Sequence, residues 1–121
     1  GVVAIWTERM LHGKVAVING SGDQQRDFCY VGDVARGNVL ALTRGSGEIY
    51  NLGTGVSTAI NQVYALLREI TGYDGPEVHG PAKHGEVWRI YLNVDKAREG
   101  LGWEPQVPLR EGLQLTVDYF R

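Results

Sequence analysis

Residues 18–34 read INGSGDQQRDFCYVGDV and join a glycine-rich turn to two regular elements. The segment 19–23 has the asparagine, glycine and aspartate content of a tight turn. The run at 27–31 alternates in polarity and holds two aromatic residues, so it predicts a short strand. Asp33 is then expected to cap a helix that extends to about Thr43. This order of elements indicates a fold that mixes strands and helices.

The flanking sequence continues the alternation of strands and helices. Apolar residues at helical spacing, bounded by caps and glycines, predict helices at residues 1–12, 33–43, 59–71, 94–101 and 109–120. Ser57 or Thr58 is expected to cap the third of these helices. Short strands or extended segments are predicted at residues 15–18, 27–31, 48–52, 76–81 and 87–92. We therefore expect the α/β class, as a small mixed subdomain with few short strands and about five helices.

Length and composition indicate one globular domain of ordinary kind. The chain has 121 residues, of which 43% are hydrophobic and 21% charged. Twelve basic and fourteen acidic side chains give a formal charge of −2, which is not the electrostatic footprint of a nucleic-acid-binding protein. A single cysteine, Cys29, excludes an intramolecular disulfide and fits a reducing compartment. No secretory signal or long apolar run is present, so we expect a cytoplasmic protein that does not span a membrane.

The sequence lacks the motifs of several common catalytic sites. A dinucleotide-binding loop needs three glycines in the pattern G-x-G-x-x-G between a strand and a helix. The segments 20–22 and 53–55 provide only two glycines each, and Gln25 and Thr58 stand where the third is required. There is no P-loop and no Y-x-x-x-K pair, and the three histidines lack metal-ligand spacing. We therefore predict no catalytic residue, no bound cofactor and no metal site in this chain.

Two short segments contain residues that could bind an anion. Arg26 follows the glycine-rich turn at the start of a predicted strand, where a guanidinium could present two parallel donors. The alternative is an ion pair between Arg26 and one of the three nearby aspartates. The segment 83–86 combines a lysine and a glutamate on a loop flanked by proline and glycine, which suits a phosphate and a sugar hydroxyl. Its alternative is an ordinary solvated loop.

Four stretches together resemble the C-terminal part of the extended short-chain dehydrogenase/reductase family. Its members are NAD-dependent nucleotide-sugar epimerases and dehydratases, typified by UDP-glucose 4-epimerase. Residues 18–34 are similar to the family signature G-D-G-x-Q-x-R-D-F-x-Y-V-x-D-V. The further stretches are GVVAIW at 1–6, YNLGTG at 50–55, and GE at 85–86 with NVDKAREGLGWEP at 93–105 and EGL at 111–113. The resemblance covers nearly the whole chain.

The resemblance implies a role for five residues in binding a nucleotide sugar. The arginine of the R-D-F motif contacts the diphosphate in the family, and here it is Arg26. The acidic residue after glycine in the late loop contacts the ribose hydroxyls, and here it is Glu86. Lys83 stands where a second diphosphate-binding arginine is usual. A lysine keeps the positive charge but lacks the two parallel donors of a guanidinium. Asn19 occupies a commonly aromatic position near the base, and Val17 is expected to offer backbone groups to the base.

The resemblance also implies that part of the family's machinery lies upstream of this chain. The NAD loop and the catalytic tyrosine and lysine have no counterpart here, and the first helix begins at residue 1 without a cap. We therefore expect residues 1–121 to be a substrate-binding C-terminal lobe, inactive alone, that takes a UDP- or dTDP-linked sugar. The alternative is a non-catalytic binding or structural module. Val2, Val3 and Trp6 would form an apolar face toward an absent NAD-binding lobe and promote self-association.

Overall fold

Five helices and four short strands are interspersed along the part of the chain that the structure describes. The structure is a computed structural model, and the residues described are 1–44, 47–85, 88–89 and 93–121. The elements are α1 (Val2–Leu11), β1 (Val17–Asn19), β2 (Gln25–Arg26), α2 (Val31–Ala41), β3 (Thr58–Ala59), α3 (Ile60–Thr71), β4 (Val78–Gly80), α4 (Asp95–Leu101) and α5 (Leu109–Phe120). The predicted class, a small α/β unit with about five helices and few strands, is confirmed.

The main hydrophobic core lies where α1, α3 and α5 pack together. Helix α3 carries the apolar stripe predicted from its periodicity, and Val63, Tyr64 and Leu67 on it are at most 1% exposed. Trp6 of α1 meets Tyr64 edge to face, with ring centroids 5.2 Å apart. Fully burying side chains of this size contributes about 1.5–3 kcal/mol each. The core therefore holds α1, α3 and α5 in a fixed arrangement.

Two small sheets lie beside this core. Strand β1 pairs in parallel with β4, with Val17 opposite Val78 and Asn19 opposite Gly80. Strand β2 pairs antiparallel with β3, with Arg26 opposite Thr58. Within the described residues, an isolated parallel bridge joins Gln25 to Arg89. The two sheets thus hold both ends of the predicted glycine-rich turn.

Several predicted boundaries and caps are wrong. No strand occupies 27–31, because β2 ends at Arg26 and α2 already begins at Val31. Residues 47–52 form no strand, and Tyr50 and Leu52 instead pack against a second core around Trp103. Apart from residues 88 and 89, the predicted strand at 87–92 lies outside the described residues.

Neither Ser57 nor Thr58 caps α3, because β3 intervenes before this helix begins. The N–H groups of Ile60 and Asn61 donate instead to the carbonyls of Gln24 and Gly22, both at 2.9 Å. The cap of α3 is therefore formed by backbone that is distant in sequence. This arrangement also attaches the glycine-rich turn to the helix.

Asp33 does not cap α2 but anchors a distant segment. It lies in the first turn of α2 and is 3% exposed. One of its carboxylate oxygens accepts hydrogen bonds from the backbone N–H groups of Gln106 and Val107, at 3.1 and 3.0 Å. Its carbonyl accepts from Nε1 of the buried Trp103 at 2.8 Å. The second core, formed by Val94, Ala97, Leu101 and Trp103, is attached to α2 in this way.

Other predictions from periodicity are confirmed. Helix α5 occupies the predicted residues, and α3 and α4 end at Gly72 and Gly102 in the left-handed conformation, with φ of 75° and 68°. The segment predicted as extended at 76–81 contains β4. The longest described helices have 12 residues, and no described helix has the length and apolar content to cross a bilayer.

His79 on β4 connects this strand to the turn after β1. Its Nδ1 lies 2.6 Å from the Gly20 carbonyl and its Nε2 lies 3.1 Å from a Glu77 carboxylate oxygen. Both neighbours are acceptors, so only the imidazolium form can donate to both. The hydrogen bond to the Gly20 carbonyl, followed by the interactions with Glu77 and Asp23, raises the pKa of His79 above its ordinary value.

Replacing the buried Asp33 should destabilise the protein. Asp33→Ala leaves the N–H groups of Gln106 and Val107 without their acceptor, so we expect the free energy of unfolding to fall by about 2–4 kcal/mol. Urea unfolding followed by circular dichroism measures this change. Asp74→Ala, at an exposed aspartate, is the control and should change the value by less than about 0.5 kcal/mol. Equal effects of both substitutions would contradict the anchoring role of Asp33.

The stability contribution of His79 should depend on pH. Because the pKa of His79 is raised on folding, its contribution is complete below the unfolded value of about 6.5 and is lost as the pH rises through the folded value. The difference in melting temperature between the wild type and His79→Gln should therefore be larger at pH ~5.5 than at pH ~8.5. His84→Gln, at an exposed histidine, controls for histidine loss. A difference that stays constant with pH would refute the ionic link.

Candidate functional site

A cleft of about 210 Å³ lies between β1, β2 and the start of α1. Four of the five residues predicted to bind a ligand line this cleft, namely Val17, Asn19, Arg26 and Lys83. The other lining residues are Val2, Trp6, Gln24, Phe28 and Ile60. The fifth predicted residue, Glu86, lies outside the described residues. Arg26 and Lys83, the two cationic side chains, thus line the same cleft although they are 57 residues apart in the sequence.

Trp6 forms part of the rigid wall of the cleft. It is 2% exposed, and its Nε1 donates a hydrogen bond to the Val17 carbonyl at 3.0 Å. The expectation that Trp6 contributes to an exposed apolar face is therefore wrong. The Val17 carbonyl, which was expected to face a base, already accepts one hydrogen bond and retains one further lone pair. The Val17 side chain is 41% exposed.

Gln24 is a residue of the cleft that the sequence analysis did not single out. It is 5% exposed, and its Nε2 donates to the Asn19 carbonyl at 3.0 Å. This bond closes the glycine-rich turn from inside and leaves the Asn19 side-chain amide at the surface of the cleft. The signal for Gln24 was present, because it occupies the fixed glutamine of the family signature quoted above.

Arg26 is half-buried on β2, whereas Lys83 is exposed on the chain after β4. Nη1 of Arg26 donates to the Gln25 carbonyl at 2.7 Å. The nearby aspartates, which were the alternative partners of Arg26, also bind other groups. Asp33 anchors the 106–107 backbone, and Asp23 accepts a hydrogen bond from Nδ2 of Asn61 at 3.1 Å. Asp27 binds the turn that precedes β3.

A larger apolar groove of about 580 Å³ lies between the start of α1 and the start of α5. Val2 and Val3 line it, together with the 28–31 segment and Leu113. Cys29 is among the lining residues, and burial, followed by the charges of Asp33 and Asp27, raises the pKa of its thiol. The side chain of Cys29 is thus kept in the neutral form, which is the less nucleophilic one. Among the described residues, no group of three or more histidine, cysteine or acidic side chains could hold a metal ion.

Comparison with known proteins identifies what the chain is similar to. The model of the NAD dependent epimerase/dehydratase family matches residues 1–53. A UDP-glucose 4-epimerase of Mycolicibacterium smegmatis is 42% identical over 123 residues, and the match covers 100% of this chain and 39% of that protein. The chain spans about 39% of the length of the curated relatives it matches first.

Solved structures agree with this similarity. The UDP-glucose 4-epimerase of Thermotoga maritima, solved with UDP-glucose, is 54% identical and superposes with a TM-score of 0.96 over 100% of this chain and 39% of that one. The Thermus thermophilus UDP-glucose 4-epimerase, solved with NAD, is 39% identical with a TM-score of 0.89, over 99% of this chain and 40% of that one. The chain belongs to the NAD dependent epimerase/dehydratase family, and it matches about 39% of the length of UDP-glucose 4-epimerase members.

Proposed function

We propose that this chain is the substrate-binding C-terminal lobe of an NAD-dependent UDP-sugar epimerase and that the cleft beside β1 and β2 binds the nucleoside diphosphate. The observation that carries the proposal is the convergence of Arg26, Lys83, Asn19 and Val17 on one cleft. The Thermotoga maritima relative was solved with UDP-glucose, which supports a UDP-linked substrate.

The two cations of the cleft suit a diphosphate. A guanidinium can form two parallel hydrogen bonds to phosphate oxygens, and Arg26 is held half-buried on a paired strand. Lys83 adds a second positive charge as a mobile point charge on an exposed side chain. In this proposal Arg26 orients the diphosphate and Lys83 contributes attraction without fixing an orientation.

The size of the cleft suits one part of a nucleotide sugar. Complete small-molecule pockets have volumes of roughly 300–1,000 Å³, and this cleft has about 210 Å³. We assign it to the base and diphosphate, with Val17 packing against the base and Asn19 offering its amide to the base edge. The predicted contact of Glu86 with the ribose remains part of the proposal.

The described residues do not fit a dinucleotide. The glycine turn at 20–22 lies between two strands, and the one at 53–55 precedes β3, so neither leads directly into a helix N-terminus. We therefore assign NAD to the part of the relatives that this chain does not match. No step of hydride transfer is assigned to a residue of this chain.

Replacing Arg26 should weaken binding of the diphosphate. Arg26→Ala is expected to reduce the affinity for UDP by roughly 10- to 100-fold, and Arg26→Lys by less, because lysine keeps the charge and loses the paired donors. Isothermal titration calorimetry on the complete polypeptide that carries this sequence measures the change. Arg110→Ala removes an exposed arginine that pairs with Glu69 and serves as the control. Unchanged affinity in Arg26→Ala would refute the proposed site.

Replacing Lys83 by arginine should strengthen the same interaction. Lys83→Arg supplies a second guanidinium at the cleft, so we expect UDP to bind a few-fold more tightly, roughly 2- to 5-fold. Lys83→Ala should weaken binding, and the loss should shrink at high salt because the side chain is exposed. Lys96→Arg, at an exposed lysine that pairs with Glu48, is the matched control. Identical affinities for all these variants would exclude Lys83 from the site.

A further inference from the structure

The carboxylate of Asp27 binds three donors of the turn that precedes β3. The Thr54 N–H lies 2.9 and 3.1 Å from the two carboxylate oxygens, and the Thr54 hydroxyl donates to one of them at 2.7 Å. The Gly55 N–H donates to the other oxygen at 2.9 Å. Both oxygens of Asp27 are therefore held by this turn.

The same turn is closed on itself and connected to Arg26 from the other side. The Thr54 hydroxyl accepts a hydrogen bond from the Val56 N–H at 3.0 Å. Two residues later β3 begins, and its Thr58 pairs with Arg26. The backbone of Arg26 thus lies between the pairing with Thr58 and the three donors bound by Asp27.

We infer that Asp27 is a positioning residue that holds the Arg26 guanidinium in the cleft by fixing the backbone on the C-terminal side of Arg26. The inference rests on the proposed function of Arg26. A ligand that finds its anchor already ordered loses less conformational entropy on binding, so the position of Arg26 contributes directly to affinity. The two-residue β2–β3 ladder pairs the backbone at Arg26, and the hydrogen bonds of Asp27 attach the chain again at the next residue.

The role requires a carboxylate at this position. Both oxygens of Asp27 accept from N–H or O–H groups, and a charged acceptor forms shorter and stronger hydrogen bonds than a neutral one. An asparagine would present its NH₂ group to one of these donors and lose that contact. Asp27→Asn therefore changes the anchoring while it preserves the size of the side chain.

The experiment compares the affinity for UDP with that for uridine in the complete polypeptide. Asp27→Asn is expected to weaken UDP binding roughly tenfold and to leave uridine binding unchanged, since uridine lacks the diphosphate that Arg26 would bind. Thr54→Val, which removes one donor to the same carboxylate, should cause a smaller loss in the same direction. Asp74→Asn makes the same chemical change at an exposed site that lines none of the described cavities and is the control.

A double-mutant cycle with Arg26→Ala separates positioning from general stability. If Asp27 acts through Arg26, Asp27→Asn has little further effect on UDP affinity once Arg26 is alanine. Equal losses in both backgrounds, or an equal loss for uridine, would overturn the inference while the proposed function stands. No effect of Arg26→Ala itself would overturn both. Should Asp27→Asn fail to fold, the same cycle with Thr54→Val decides between these outcomes.

Discussion

The first turn of α3 and the turn that precedes Arg26 satisfy each other's hydrogen bonds. A helix N-terminus leaves backbone N–H groups without partners, and those of Ile60 and Asn61 donate to the carbonyls of Gln24 and Gly22. This contact requires a close approach, because a Cβ on Gly22 would lie 2.0 Å from an Asn61 side-chain atom. Gly22 also has a φ of +79°, which only glycine adopts readily. The same hydrogen bonds therefore cap α3 and position the glycine-rich turn at the cleft.

Further hydrogen bonds hold β1 and the 20–27 segment in place. Gln24 closes the turn from inside through the Asn19 carbonyl, and His79 holds the Gly20 carbonyl from β4. Trp6 fixes the Val17 carbonyl from the side of α1. Of the side chains that make these bonds, Trp6 belongs to the main hydrophobic core and Gln24 is buried. The cleft is thus held in part by core residues, although none of the described strands has more than three residues.

Sequence periodicity predicted the helices well and the strands poorly, for a physical reason. Helices such as α3 and α5 have enough turns for an apolar stripe to repeat, and tertiary packing then reinforces the same pattern. Strands of two or three residues carry too few alternations, so their limits depend on distant partners. The strand expected at 27–31 is absent because Asp27 turns its side chain to Thr54 and α2 begins at Val31.

The candidate site was reached by a different route. Spacing alone favoured an ion pair for Arg26 and a solvated loop for Lys83. The family resemblance singled out the four described residues that the structure gathers in one cleft. Periodicity gave no sign of Gln24, because it lies in a turn, and the only signal for it was its place as the fixed glutamine of the family signature. The hydrogen bond by which Gln24 closes the turn is seen in the folded structure.

The different burial of the two cations follows from how each is attached. Arg26 stands on a strand that is paired, tied to the α3 cap and followed by the Asp27 anchor, so its guanidinium has few positions open to it. Lys83 stands three residues after β4, exposed and with a freely rotating ammonium. A guanidinium held in one position binds a diphosphate in one preferred orientation. A mobile ammonium attracts a diphosphate in any orientation. In the proposed function, an arginine is therefore needed at position 26, and at position 83 a lysine suffices.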